Sequence, residues 1–136
     1  MSLYCSSHAI YDCLYHVCWR TKYRRKVLTP VIQKAIKNIF NDIATEYDFR
    51  IDRLGFDEDH LHILVQVPPR WSLMQITRIL KSISSKYLFR MFPNLKKQYW
   101  HREFWKDGYC VKTVGDELSR AEVRKYVENQ GNRELF

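Results

Sequence analysis

Two histidines and a tyrosine are the residues of this chain whose types and spacing could do chemistry. His60 and His62 stand in the run Asp59-His-Leu-His-Ile-Leu-Val-Gln66, which has the composition of a strand. Residues two apart on a strand point to the same face, so the two imidazoles would lie side by side. Such a pair can chelate one divalent ion, although an H-x-H pair taken alone is more often structural.

The tyrosine belongs to the last helical pattern of the sequence. Val123, Tyr126, Val127 and Gln130 follow helical spacing and therefore share one stripe. The stripe by itself is compatible with Tyr126 as an ordinary core aromatic. Gln130 does not fit a purely apolar stripe, because a buried amide must find a polar partner or a wet site. One turn from Tyr126, this amide could supply an oxygen to a metal beside the phenol.

The charge of the chain favours a polyanionic partner. Lys and Arg number 23 against 15 Asp and Glu, which gives a formal net charge of +8. Neutralising phosphates with such cations releases condensed counterions, but RNA or acidic lipids would satisfy the charge as well as DNA. The candidate contacts to a DNA backbone lie in a basic loop and along the second predicted helix. They are Lys22, Arg24, Arg25, Lys26, Arg78, Lys81 and Lys86.

Length and composition indicate one domain, residues 1–136, with enough apolar material (46%) for a packed core. The cysteines, Cys5, Cys13, Cys18 and Cys110, form no C-x-x-C pair and no zinc or disulfide spacing, so we expect them to be reduced and mostly buried. No apolar run approaches the roughly 18 residues that span a bilayer, and the N-terminus does not resemble a signal peptide. We therefore expect a cytoplasmic protein without a membrane partner.

The periodicity of the sequence predicts the elements that must position these residues. We expect strands at residues 11–19, 49–56, 60–67 and 109–114, and helices at residues 30–47 and from Ser72 to Pro93. A last helix would begin with the capping box Ser119-Arg-Ala-Glu122 and end near Gly131. The order β-α-β-β-α-β plus one helix predicts an α+β, ferredoxin-like (split βαβ) antiparallel sheet. Its helices would cover one face, and the imidazoles would lie on the other, open face.

Several ordered segments of the chain together resemble a known family. The chain is similar to the HUH single-tyrosine transposases of the TnpA type, the enzymes of insertion sequences that move as single-stranded DNA. The segments that carry the resemblance are Tyr15-His-Val-Cys-Trp19, Lys22-Tyr-Arg-Arg-Lys26, His60-Leu-His62, Lys112-Thr-Val-Gly115 and Tyr126-Val-Glu-Asn-Gln130. The resemblance therefore covers nearly the whole chain.

This resemblance implies a role for each candidate residue. His60, His62 and Gln130 would hold a divalent metal, Mg²⁺ or Mn²⁺, and Tyr126 would be the nucleophile that forms a 5′-phosphotyrosine. Gly115 would be the hinge before the tyrosine helix. The implied partners are single-stranded DNA with hairpin ends and a second copy of the chain, because family dimers combine the histidines of one subunit with the tyrosine helix of the other.

Two other functions remain as alternatives. A replication initiator or a relaxase-type nickase can also use an H-x-H pair and a tyrosine, although the small size and single well-placed tyrosine argue against it. A non-catalytic, RRM-like nucleic-acid-binding protein would use the same sheet but would need neither the paired histidines nor Gln130. Tyr99, Trp100 and Trp105 could stack on unpaired bases or pack in the core.

Overall fold

An antiparallel sheet of four strands forms the centre of the computed structural model, which describes residues 3–6, 8–97, 103–115 and 117–129. The strand order is β4-β5-β3-β6, with every neighbouring pair antiparallel. This is the predicted ferredoxin-like arrangement, and the α+β prediction is confirmed. In chain order the elements are β1 (Tyr4–Cys5), β2 (Ile10–Tyr11), β3 (Leu14–Arg20), α1 (Pro30–Tyr47), β4 (Arg50–Phe56), β5 (His60–Gln66), α2 (Leu73–Met91), α3 (Pro93–Lys96), β6 (Cys110–Thr113) and α4 (Glu117–Glu128).

Helices α1 and α2 start where their capping residues predict. Thr29 accepts a hydrogen bond from the backbone N–H of Ile32, with Pro30 in the first helical position. Ser72 and Gln75 form a reciprocal capping box at the start of α2. The apolar sides of both helices pack on one face of the sheet and form the main core. Its largest fully buried members include Trp19, Phe40, Ile36, Leu61, Ile63, Ile76 and Leu80.

The second face of the sheet is covered by α4, which contradicts the prediction of an open face. Val127 is buried against Leu14, Leu64 and Val114, and Tyr126 packs against the same cluster. Because β5 is a central strand with helices on both sides, all seven of its residues are buried. The expectation that the imidazole face of β5 remains accessible is therefore wrong for this arrangement.

Several element boundaries differ from the prediction for local reasons. Tyr11 belongs to a small hairpin with β1 instead of the first long strand, because the Cys13 N–H donates to the Gln66 side chain and interrupts the ladder. Helix α4 begins at Glu117, so Ser119 lies inside its first turn and is not its N-cap. Pro93 ends α2 but also opens the short α3. The predicted helix end at Gly131 lies outside the described residues.

The cysteines carry no disulfide, but only Cys18 is buried, whereas Cys5, Cys13 and Cys110 are exposed. The expectation of mostly buried cysteines is wrong because three of them lie on edge or surface segments. Within the described part of the chain, no helix is both long and apolar enough to cross a membrane.

A buried ion pair fixes the start of α4 on the sheet. The Arg120 guanidinium lies 2.9 Å from Asp12 Oδ1 and donates to the carbonyl oxygen of Val114 at 3.3 Å. Gln66, the last residue of β5, donates to the same Asp12 carboxylate at 2.8 Å. Arg120 is only 4% exposed, so the pair is largely removed from water. Loss of either partner would leave a buried charge without compensation.

Two further ion pairs follow along the same stripe of α4. Arg124 donates through Nε and Nη2 to both carboxylate oxygens of Asp52, at 2.9 and 2.8 Å. One turn later, Glu128 accepts a hydrogen bond from Arg53 Nε at 2.6 Å. Spacing of four residues places Arg124 and Glu128 on the same side of the helix as Arg120. These pairs join α4 to β4 at the edge of the sheet.

We expect the two outer pairs to differ in strength. Asp52 and Arg124 are mostly shielded, with side chains 10% and 28% exposed, and their contact is bidentate, whereas Arg53 and Glu128 are about half exposed. A double-mutant cycle of Asp52→Ala and Arg124→Ala should give a coupling free energy of about 1.5 kcal/mol. The matched cycle of Arg53→Ala and Glu128→Ala should give about 0.5 kcal/mol or less. Urea unfolding measures both, and equal coupling in the two cycles would contradict this assignment.

Candidate active site

The two histidines of β5 lie side by side in the middle of the sheet, as their spacing predicts. Their ring centroids are 5.1 Å apart, and the residues are 2% (His60) and 0% (His62) exposed. Antiparallel pairing sets Cys18 of β3 opposite His62 on one side and Gly55 of β4 on the other. The backbone on both sides of the pair is therefore fixed by ladder hydrogen bonds.

His60 is oriented by the acidic turn that precedes β5. Its Nδ1 lies 2.8 Å from the carboxylate oxygen Oδ1 of Asp59. The Asp59 backbone is held in turn by the Thr21 N–H, which donates to its carbonyl oxygen at 2.9 Å. A carboxylate on Nδ1 is the usual support of a metal-ligating histidine, because it fixes the proton there and directs Nε2 toward the ion.

His62 is oriented by a third histidine that the sequence analysis did not single out. Its Nδ1 lies 2.9 Å from Nε2 of His16, which is itself buried. Burial lowers the pKa of His62 to about 3 and that of His16 to about 4, so both rings are neutral at physiological pH. Among the described residues, the buried Nε2 of His62 has no hydrogen-bond partner. A buried, neutral, unpartnered imidazole nitrogen is suited to a metal ion.

Helix α4 brings Tyr126 against these imidazoles. The centroid of its ring lies 5.6 Å from that of His62 and 6.2 Å from that of His16, in edge-to-face orientations. Tyr126 is half-buried, whereas Val127 beside it is fully buried and fixes the helix on the sheet. The tyrosine and the histidines predicted from separate parts of the sequence therefore meet. Gln130 lies outside the described residues, and its role stays a prediction.

The donor atoms at this site fit a divalent metal bound by imidazoles. Side chains of metal-binding type form two groups. One group contains Asp57, Asp59 and His60, and the other contains His16, Cys18 and His62. Burial raises the pKa of the Cys18 thiol to about 12, so the thiol is protonated when no metal is bound. His60 and His62, each engaged on Nδ1, are the residues that would hold a metal through Nε2.

The basic loop after β3 lies beside the same site. Arg24, Arg25 and Lys26 are exposed, and the Arg25 guanidinium lies 5.7 Å from the Tyr23 ring centroid. Tyr23 and Arg24 both have left-handed backbone conformations, with φ of 61° and 52°, which costs energy in non-glycine residues and recurs at functional sites. Cations of the loop have acidic neighbours: Lys22 with Glu103 (2.8 Å), Arg24 with Asp59 (3.8 Å) and Lys26 with Glu58 (3.9 Å).

The second predicted group of cations lines a cleft of about 1030 Å³ between α2 and residues 103–109. Arg78 and Lys86 are exposed there. Lys81 instead donates to the carbonyl oxygens of Lys106 and Gly108, at 2.8 and 2.7 Å, and so holds this segment on α2. Because α2 and α4 pack on opposite faces of the sheet, the cleft and Tyr126 lie on opposite sides of the molecule.

Of the aromatic residues considered for base stacking, Trp105 belongs to the core. It is 5% exposed, packs edge-on against Trp19 and donates through Nε1 to Ser84 Oγ at 2.8 Å. Tyr99 and Trp100 lie outside the described residues.

Gly115 precedes α4, where the hinge is expected. A Cβ built on it would meet no atom within 4 Å, and its φ is not left-handed. Nothing in the observed conformation requires glycine, so a hinge role would depend on a different conformation of this segment. The hinge stays a prediction.

The residues missed by the sequence analysis share the imidazole face of the sheet. Alternation along β3 places Tyr15, Val17 and Trp19 on the core face, and so His16 on the opposite face with His60 and His62. The alternation along β3 was therefore a signal in the sequence that could have identified His16. The partners of α4, Asp12 and Asp52, carried no such signal, because their roles depend on where α4 packs.

Most of the chain is similar in sequence to known proteins. The family model described as "Transposase IS200 like" matches residues 9–130. The ISDra2 transposase TnpA of Deinococcus radiodurans is 32% identical over 125 residues, which cover 92% of this chain and 89% of that protein. The transposase for insertion sequence element IS200 of Salmonella typhimurium is 33% identical over 124 residues, which cover 91% and 80%.

Solved structures show the same fold. The crystal structure of a protein from Deinococcus radiodurans R1, assigned as a transposase, has a TM-score of 0.74 and 33% identity and covers 96% of this chain and 99% of that one. A REP-associated tyrosine transposase bound to a REP hairpin has a TM-score of 0.65 at 12% identity, with coverage of 93% and 70%, and supports the fold alone. With the family model matching most of its length, this chain belongs to the IS200-like transposase family.

Proposed function

We propose that this transposase cleaves and rejoins single-stranded DNA at the ends of an insertion sequence through a 5′-phosphotyrosine at Tyr126. Its divalent metal would be held by His60, His62 and Gln130. The observation that carries the proposal is the contact between Tyr126 and His62, whose buried Nε2 has no hydrogen-bond partner among the described residues. Family membership supports DNA cutting and joining in general, and this contact supports the particular residues.

The proposed reaction is a reversible phosphoryl transfer. The Tyr126 hydroxyl gives up its proton to solvent water and its oxygen attacks the scissile phosphorus in line. The bond from phosphorus to the 3′-oxygen breaks, and that oxygen takes up a proton from solvent to leave a 3′-hydroxyl. Attack of another 3′-hydroxyl on the phosphotyrosine reverses the step and releases the phenol. The energy of the broken bond is conserved in the intermediate, so joining needs no nucleotide cofactor.

The protein contributes positioning to this step. The edge-on contacts with His62 and His16 limit where the Tyr126 ring can lie, and burial of Val127 fixes the helix beneath it. Mg²⁺ or Mn²⁺ bound here would supply positive charge to the phosphate oxygens. Two imidazoles and an amide are softer ligands than Mg²⁺ usually takes, so Mn²⁺ should bind well even if Mg²⁺ is the working ion.

The two cationic regions are the proposed DNA contacts. Because the proposed substrate is DNA, we expect the protein to act in the cytoplasm. Lys22, Arg24, Arg25 and Lys26 would hold the backbone near Tyr126, because their loop adjoins Asp59. Arg78, Lys81 and Lys86 line the cleft across the sheet, where a second part of the DNA could bind. A hairpin end is consistent with the REP hairpin bound by the structurally similar tyrosine transposase.

A non-catalytic, RRM-like function is less consistent with the structure. Such a protein stacks bases on the open face of its sheet. Here α4 covers that face, and the buried residues beneath it include His60 and His62 instead of exposed aromatic side chains.

Tyr126→Phe should abolish the covalent adduct with single-stranded DNA while fold and DNA affinity survive, because only the nucleophilic oxygen is removed. Denaturing gel electrophoresis with end-labelled DNA detects the adduct, which should be 5′-linked and absent with the equivalent paired duplex. The exposed tyrosines Tyr87 and Tyr109 provide matched controls, and their Phe variants should retain the adduct. Normal adduct yield from Tyr126→Phe would assign the nucleophile elsewhere.

Replacing both His60 and His62 with Ala should abolish cleavage and leave most of the DNA affinity, because the proposed DNA contacts are the cations. Cleavage with Mg²⁺ or Mn²⁺ and filter binding of hairpin DNA measure the two effects separately. His8→Ala removes an exposed histidine and should change neither. Cleavage by the double variant at the wild-type rate would refute the metal assignment.

We further propose that the working unit is a homodimer that shares its active sites. Transposition must hold two DNA ends, and each chain has one Tyr126. In the single chain, α4 lies on its own sheet. The same surface of a second copy could bind α4 through the same ion pairs. Exchange of α4 between two chains would therefore lose few contacts. Gly115 would permit the swing of the helix.

A complementation experiment tests this arrangement. A chain carrying His60→Ala and His62→Ala is mixed with a chain carrying Tyr126→Phe under conditions that exchange subunits. With shared sites, the mixed dimer contains one composite site with intact histidines and an intact tyrosine, so cleavage should reappear. With sites built within single chains, no intact site exists, and absence of cleavage in confirmed mixed dimers would overturn the proposal.

A further inference from the structure

We propose that His16 is a positioning residue of the metal site, where its Nε2 accepts a hydrogen bond from the Nδ1–H of His62 and thereby directs the Nε2 lone pair of His62 to the metal. The inference rests on the proposed function, since it concerns the metal that His60 and His62 would hold. It assigns a role to a residue of β3 outside the proposed ligand set and outside the tyrosine helix.

The sheet itself sets the contact between the two rings. Pairing of β3 with β5 places Cys18 opposite His62 and Leu64 opposite His16, so His16 and His62 are diagonal neighbours on the same face. Their ring centroids are 5.2 Å apart, and the atoms that face each other, His16 Nε2 and His62 Nδ1, are 2.9 Å apart. Both residues are buried, so water does not compete for this hydrogen bond.

The direction of this hydrogen bond decides whether His62 can bind a metal. A neutral imidazole carries one proton, so the proton of His62 must be on Nδ1 if Nε2 is to offer its lone pair. His16 must then accept through Nε2 and carry its own proton on Nδ1. If His16 instead donated through Nε2, the proton of His62 would be on Nε2 and would block the metal. The tautomer of His16 therefore determines whether Nε2 of His62 can bind the metal.

The two histidine ligands are oriented by chemically different partners. For His60 the partner is a carboxylate, whose Oδ1 lies 2.8 Å from Nδ1 of the ring. His16 provides a neutral acceptor for His62 at a position where the sheet is covered by α4. A second carboxylate in this buried position would add an uncompensated charge. A neutral imidazole avoids that cost while still fixing the ring.

The distance between the facing nitrogens of His16 and His62 fits a hydrogen bond better than two bonds to a shared tetrahedral ion. Two imidazole nitrogens bound to one tetrahedral ion at bond lengths of about 2.0–2.1 Å are roughly 3.3 Å apart. The observed 2.9 Å between His16 Nε2 and His62 Nδ1 is a hydrogen-bond distance. The buried thiol of Cys18 lies beside the two rings.

Metal binding by variants of the full-length protein without DNA tests the inference independently of cleavage. His16→Phe keeps a ring of similar size but removes the acceptor, and Mn²⁺ affinity measured by electron paramagnetic resonance should fall 10- to 100-fold. His16→Gln places an amide oxygen near the position of Nε2 and should keep the affinity within about threefold of wild type. Cys18→Ala perturbs the same face of β3 without removing the acceptor, and should also stay within about threefold.

The outcomes separate this inference from the proposed function. If wild-type protein binds no Mn²⁺, the metal proposal itself fails. If wild type binds Mn²⁺ and a folded His16→Phe variant binds it equally well, only the role of His16 is overturned. Loss of affinity in Cys18→Ala comparable to that in His16→Phe would also overturn it, since the effect would then be general loosening of the strand.

A measurement on the unmodified protein keeps the test valid even if His16→Phe does not fold. Long-range ¹H–¹⁵N spectra of the protein saturated with Zn²⁺, a diamagnetic probe ion, report which ring nitrogens carry protons. We expect protons on Nδ1 of both His62 and His16 and none on Nε2 of His16. A proton on Nε2 of His16 in the metal-loaded protein would overturn the inference.

Discussion

The packing of α4 across the second face of the sheet places Tyr126 against the buried imidazole of His62, and the other properties of the candidate site depend on this contact. Apolar contacts of Val127 and the buried pair of Arg120 with Asp12 hold the helix there. Desolvation keeps His62 neutral, with its pKa lowered to about 3, so one of its ring nitrogens keeps an available lone pair. The same helix carries Tyr126 to the ring of His62, so one docking event brings the proposed nucleophile to a proposed ligand.

The sheet supplies the rigidity that this assembly needs. β5 is a central strand, paired on one side with β3 and on the other with β4, so its backbone cannot slip without breaking two ladders. Each ring is then fixed by a hydrogen bond at its Nδ1. The partner of His60 is Asp59, and the partner of His62 is His16. Position therefore comes from the strands, and orientation comes from neighbouring side chains.

Charge is distributed over both faces of the molecule, and each group of cations has a different environment. The loop cations after β3 are tied to acidic residues around the candidate site, such as Asp59. On the other side, Lys81 is held by backbone carbonyls, whereas Arg78 and Lys86 remain exposed along the cleft. A net charge of +8 thus includes cations with a structural role as well as cations open to solvent.

The sequence by itself determined the order of the four sheet strands and of α1, α2 and α4, the caps of α1 and α2, and the placement of His60 and His62 on one face, because these depend on local periodicity and capping chemistry. It also placed Tyr126 and Val127 on one helical stripe. Only the tertiary structure decided that α4 covers the imidazole face, since this depends on partners far away along the chain, such as Asp12 and Asp52. The contact of His16 with His62 was likewise decided by strand register, a pairing between segments 46 residues apart that no local pattern specifies.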